Sequence, residues 1–98
     1  MFVSIHHTIK DAQKWDQTVQ NVKAAMEQGQ MPQGLKPLMY LPSADGHQAN
    51  CLWEADSVES LKAFMDPGTG SAAQNEYYPI NAQAAIGLPA QEAAPATA

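Results

Sequence analysis

The chain opens with an alternation of apolar and polar positions. Between Phe2 and Ile9, the residues Val3, Ile5, His7 and Ile9 interleave with Phe2, Ser4, His6 and Thr8. A period of two with β-branched residues is a strand signal, and it sends the two sets to opposite faces. The more apolar set, with Val3 and Ile5, is expected beneath covering helices. From Ala12 the period changes: Ala12, Trp15, Val19, Val22 and Met26 recur at spacings of three and four, which gathers them on one side of a helix. Asp11 is placed to cap that helix, because its carboxylate accepts from the free amides of the first turn. Gly29 and Pro32 stop it, so a helix is expected over 12–28.

The second strand is expected at 35–41. Pro37 inside it has no N–H to give a ladder, which assigns this strand to a sheet edge. Ser43-Ala44-Asp45-Gly46 reads as a tight turn, so the following strand, 47–55, closes a hairpin. Asp56 or Ser57 then caps a second helix, with Glu59 three residues after Asp56 as in a capping box. Val58, Leu61 and Met65 form its buried stripe, with Phe64 beside them, and Pro67-Gly68-Thr69-Gly70 is expected to end it. Residues 71–75 are open between a loop and one more helical turn. A short strand at 76–80 carries Pro79, again an edge signal. Asn81 is placed to cap a last helix over 82–86, whose alanines favour helix over the alternative of a strand. The Ala-rich stretch 90–98 has no periodic face and is expected to be disordered.

This order is β-α-β-β-α-β, an α+β chain of the ferredoxin-like type with an antiparallel sheet, one domain over 1–89. Two helices cover one sheet face. The other must be polar or meet a partner, and Phe2 and Leu52 on it point to a homodimer through that open face.

Composition narrows the partners. A net charge of −5 with only five Lys and Arg excludes nucleic acid, which needs a basic surface, and disfavours anionic membranes. The single cysteine cannot form an intramolecular disulfide, so nothing calls for an oxidising compartment. The first residues lack the basic and long apolar regions of a signal peptide, and no apolar run nears the ~20 residues that span a bilayer. A cytoplasmic, soluble protein is expected.

The stretch Cys51-Leu52-Trp53-Glu54-Ala55-Asp56-Ser57-Val58-Glu59 resembles the Cys-Leu-aromatic-Glu-Ala strand-to-helix junction of an uncharacterised family of small bacterial dimeric α/β-barrel proteins. The resemblance implies that two sheets face each other around a cavity. Because some relatives of that type are described as nickel-binding, it also implies a divalent transition metal such as nickel as a candidate cofactor.

Candidate chemistry follows from the faces. If Cys51, Trp53 and Ala55 meet the helices, the open face collects Ser4, His6, Thr8, Asn50 and Glu54. His6 exchanges protons near neutrality and is the candidate general acid/base or ligand, against the plain alternative of a solvated or interface histidine. Asn50, Glu54 and Tyr78 are the other candidate ligand-binding residues. Antiparallel pairing places His6 beside Asn50 and Leu52, and Glu54 nearer Phe2 and Ser4, about two steps of ~3.4 Å away. A direct His6–Glu54 contact is therefore not expected.

Cys51 points into the core on this phasing, where a free cysteine usually behaves as a small hydrophobe. As a soft ligand it would find His7 on the same side, which makes His6, His7 and Cys51 the candidate metal donors. Three functions remain: a small-molecule or metal-binding protein using the cavity of the dimer; a cofactor-independent isomerase, cyclase or monooxygenase with His6 as acid/base; or an interaction module without a ligand.

Overall fold

The computed structural model describes residues 1–89; the stretch 90–98, expected to be disordered, lies outside the described residues. Strands β1 (Phe2–Ile9), β2 (Leu35–Pro42), β3 (Gln48–Ala55) and β4 (Ala73–Pro79) alternate with helices α1 (Ala12–Glu27) and α2 (Val58–Thr69). The sheet order is β2-β3-β1-β4, and every neighbouring pair is antiparallel. This is the α+β, ferredoxin-like arrangement read from the sequence, with both proline-bearing strands at the edges. Among the described residues no helix is long and apolar enough to cross a membrane.

Local chemistry explains the boundaries. Asp11 caps α1, its carboxylate accepting from the amides of Gln13 and Lys14. Ser57 caps α2, its hydroxyl accepting from the Ser60 amide at 3.0 Å. Of the two candidates the hydroxyl took this role, and the Asp56–Glu59 box does not form; the Asp56 amide instead donates to the Gly34 carbonyl. Gly46 takes φ 78° in the β2–β3 turn, where Ser43 donates to the Asp45 carboxylate.

The core lies between helices and sheet. Val3, Ile5, Leu35, Trp53, Ala55, Leu61 and Met65 form one buried cluster, and Trp15, Ala49, Ala72 and Ala73 a second. Each fully buried Val, Leu or Ile stabilises the fold by about 1.5–3 kcal/mol through lost apolar surface. The expected helix-facing sets of β1 and β3 are the buried ones.

Three segments differ from expectation. The second helix runs through Pro67 and Gly68 to Thr69. Proline deletes one bond to the carbonyl four residues back, here on exposed Ala63, while buried Met65 and Thr69 hold the last turn on the core. After a 3-10 turn at Gly70–Ala72, β4 starts at Ala73, three residues before the expected strand. The expected helix at 82–86 is a single turn, in which Asn81 receives the amides of Gln83, Ala84 and Ala85.

Two features of the sheet bear on the site. The β2–β3 register shifts between Pro37 and Met39, so Leu38 is an extra residue in the edge strand. That bulge moves Tyr40 opposite Cys51, onto the helix side, where strict alternation from Leu35 would have sent it to the open face. Phe2 lies on the open side, yet is only 3% exposed.

Candidate functional site

The residues expected on the open face are placed as the antiparallel register requires. His6 stands opposite Asn50, and its Nδ1 lies 3.0 Å from Asn50 Oδ1. Glu54 is opposite Phe2, and Tyr78 opposite Ser4, so neither reaches His6 by pairing. Glu76 occupies the other flank of His6.

The concave space is on the other side. A cavity of about 240 Å³ lies between α1 and the sheet. Its floor is His7, Cys51 and Trp53, its roof Trp15, Val19 and Val22, and Met65 closes the α2 side. Lys23, Met26 and Tyr40 are exposed lining residues and mark the opening between α1 and β2. Trp15 Nε1 donates to the Tyr40 hydroxyl at 3.0 Å, tying α1 to the re-aimed edge strand.

A polar chain runs beneath this floor. His7 pairs with Asn75 across β1 and β4, and their side chains meet at 2.6 Å, Nδ1 to Oδ1. The Asn75 amide nitrogen donates to Asp66 Oδ1 at 3.0 Å and to Thr69 Oγ1 at 3.1 Å, which leaves Asn75 Oδ1 as the acceptor. We therefore assign the ring proton to His7 Nδ1, and the lone pair to Nε2. Nε2 lies 3.1 Å from Cys51 Sγ, so the thiol donates to it. Tyr77 donates to the same Asp66 oxygen at 2.5 Å, and its phenol is held above its ordinary range by burial and by that carboxylate.

Burial also sets the charge of the pair. It lowers the pKa of His7, against the hydrogen bond to Asn75 and with the help of the His6 charge. It pushes the Cys51 thiol up to about 12, opposed by the nearby indole N–H of Trp53. Trp53 Nε1 is buried and has no hydrogen-bond partner among the described residues. At neutral pH the floor is thus a neutral thiol donating to a neutral imidazole, beside one unused donor.

The His7 shift has a measurable consequence. Its folded pKa lies below the unfolded value of ~6.5, so the unfolded chain binds the extra proton first. The His7 contribution to stability is complete above about pH 6.5 and is lost as pH falls toward the folded pKa, at a limiting slope of about 1.4 kcal/mol per pH unit. Urea melts from pH 7.5 to 5 should show that decline, and the His7 ring should titrate by NMR below a free imidazole.

His7 and Cys51 are brought together as the sequence indicated, but His6, one residue on, points to the opposite face. No group of three His, Cys, Asp or Glu side chains is arranged to hold a metal among the described residues. A tetrahedral centre needs about four ligands, so the candidate trio does not fit a transition metal as one site. Sequence reasoning missed Asn75, Asp66, Trp15 and Tyr40. The extended β4 would have revealed Asn75, since it puts that residue opposite His7.

No curated protein and no solved structure matches the chain. The family described as Domain of unknown function (DUF8652) matches residues 2–88, and the chain belongs to that family.

Proposed function

We propose that this domain binds a small, largely apolar molecule in the cavity between α1 and the sheet, where the ligand accepts a hydrogen bond from Trp53 Nε1. The observation that carries this reading is a carbon-lined space of about 240 Å³ whose lining includes Trp53, a residue with a buried, unpartnered indole donor. A buried N–H left unpaired costs about 1–3 kcal/mol, and a carbonyl or ether oxygen on a ligand removes that cost. At about 240 Å³ the cavity sits just below the range of drug-sized pockets, so the ligand is small.

Cyclohexanone and methylcyclohexane are suitable probes, because they share a body and differ in the acceptor. Both tryptophans line the cavity, so intrinsic fluorescence reports occupancy. We expect saturable quenching by cyclohexanone, with high-micromolar to millimolar affinity for so few atoms, at about −0.3 to −1.5 kcal/mol each. Trp53→Phe should erase the preference for the ketone, and Val22→Phe, which fills the roof, should abolish binding of both. A linear, unsaturable response that Val22→Phe leaves unchanged would overturn the reading.

A second reading concerns the open face. Met39, Leu41 and Tyr78 are 43, 55 and 50% exposed, and all three lie on it by register. Together with the resemblance to dimeric barrels, they support a homodimer that stacks two sheets. In that assembly His6 and Asn50 would line a shared space, and His6 would be the acid/base of the enzyme alternative. Light scattering at micromolar concentration decides it, a monomer ending the idea.

A further inference from the structure

Cys51, His7 and Asn75 stand in the order that nucleophilic catalysis requires. A nucleophile must touch a base, and the base must be oriented by a third group; such chains recur on unrelated folds and are recognised by geometry. Here Cys51 Sγ is 3.1 Å from His7 Nε2, and His7 Nδ1 is 2.6 Å from Asn75 Oδ1. Asn75 is itself fixed by Asp66 and Thr69, so its oxygen cannot turn away. The imidazole ring is further held by Trp15, whose ring centroid lies 4.5 Å away.

His7 is fully buried and Cys51 only partly so; both line the cavity together with Trp53, whose buried Nε1 has no hydrogen-bond partner. A fixed donor beside a nucleophile is what an oxyanion needs, because it requires no rearrangement as negative charge develops.

We propose that Cys51 is the nucleophile of an acyl-transfer site, with His7 as its base, Asn75 as a positioning residue and Trp53 Nε1–H as the oxyanion donor, acting on esters or thioesters of short apolar acids. This rests on the binding reading above and names its substrate class. The carbon-lined walls accept the apolar acyl group, and the opening between α1 and β2 gives the leaving group a way out.

The steps balance without another reactant than water. Cys51 Sγ bonds to the carbonyl carbon, its proton passes to His7 Nε2, and the carbonyl oxygen becomes an oxyanion held by Trp53. The oxyanion collapses, the alcohol or thiol leaves with the proton from Nε2, and an acyl thioester remains on Cys51. Water then attacks that carbonyl, giving its proton to Nε2; the C–S bond breaks, the acid departs and sulfur regains its proton. Burial holds the thiol pKa at about 12, so Cys51 rests protonated and must pass its proton to His7 as the C–S bond forms. It also makes the resting thiol inert to reagents that do not enter the cavity.

The test uses the full chain and 4-nitrophenyl butyrate. We expect a burst of one equivalent of nitrophenolate, rates that saturate with ester, and the mass of one butyryl group on the Cys51 peptide. Iodoacetate, charged and excluded from carbon-lined walls, should label Cys51 slowly. Cys51→Ala and Cys51→Ser, both small enough for the core, should remove the burst. His7→Gln should slow acylation by about 100-fold or more, and Trp53→Phe by about 10-fold or more. Asn75→Ala should lower the acylation rate per equivalent of burst, whereas a purely structural role would shrink the burst amplitude and leave that rate unchanged. Butyrylation spread over lysines, or a burst that survives in Cys51→Ala, would overturn the proposal. Saturable cyclohexanone binding without any acylation would also overturn it while leaving the binding reading intact; loss of both would overturn both.

Discussion

Replacing Trp53 with alanine should destabilise the fold by about 3–5 kcal/mol, the usual cost of removing a large aromatic side chain from a core. A chain of this size has only about 5–15 kcal/mol of total stability, so the variant is expected near its unfolding threshold. At roughly 4–8 °C per kcal/mol, the thermal midpoint should fall by at least about 12 °C. The site is unusually exposed to this change. The indole packs against Phe64 at a centroid distance of 6.0 Å, belongs to the main core cluster and also lines the cavity. Its removal therefore enlarges an existing space, and the walls have little chance to collapse. Trp53→Phe is the informative control. It keeps most of the packing and deletes the unpaired N–H, whose removal returns about 1–3 kcal/mol and offsets much of the small void left. Calorimetry should place Trp53→Phe within about 1 kcal/mol of the parent. A phenylalanine variant as unstable as the alanine one would mean that the N–H already has a partner within the chain.

Asn75→Ala should cost about 2–4 kcal/mol in urea melts, although the residue carries no hydrophobic surface of consequence. The physical reason is what it leaves behind. His7 is fully buried, and its Nδ1–H would lose its acceptor, while Asp66 would lose a donor. Asn75→Asp separates the contributions. It keeps an acceptor for Nδ1–H but places a second carboxylate beside Asp66, so the His7 pKa should rise above that of the parent and its NMR titration should move toward neutrality. If Asn75→Ala were neutral in stability and left the His7 titration unchanged, the hydrogen-bonded chain would not hold the histidine.

The path of the chain was legible because its local signals agree. The period-two alternation in β1, the Asp11 cap, the Asp45-Gly46 turn and the prolines of the outer strands are short-range chemistry, and each appears where the sequence puts it. The phase of His7 and Cys51 was legible for the same reason, as was the separation of His6 from Glu54. The cavity was not. It depends on a one-residue bulge at Leu38 that re-aims Tyr40, and no residue type announces a bulge. Asn75 was hidden because Pro67 and Gly68 read as a helix stop. In the structure they sit within the exposed last turn, and the strand after it starts early enough to bring Asn75 beside His7. Chemistry expected on the polar face thus has its best-formed counterpart beneath the helices, because concavity is set by how α1 spans the sheet and not by which face is more polar.

The outer strands have one more consequence, for how the folded chain behaves when crowded. Pro37 and Pro42 lie on β2 and Pro79 on β4, the two borders of the sheet. An incoming strand needs an unbroken row of amides, and these borders offer rows with gaps, one of them also bent by the Leu38 bulge. Growth of a ribbon by adding strands is thereby disfavoured at the β2 border, where Pro37 and the bulge lie within the strand. Contacts between crowded molecules are then favoured through side chains over extension of the four-stranded backbone ladder.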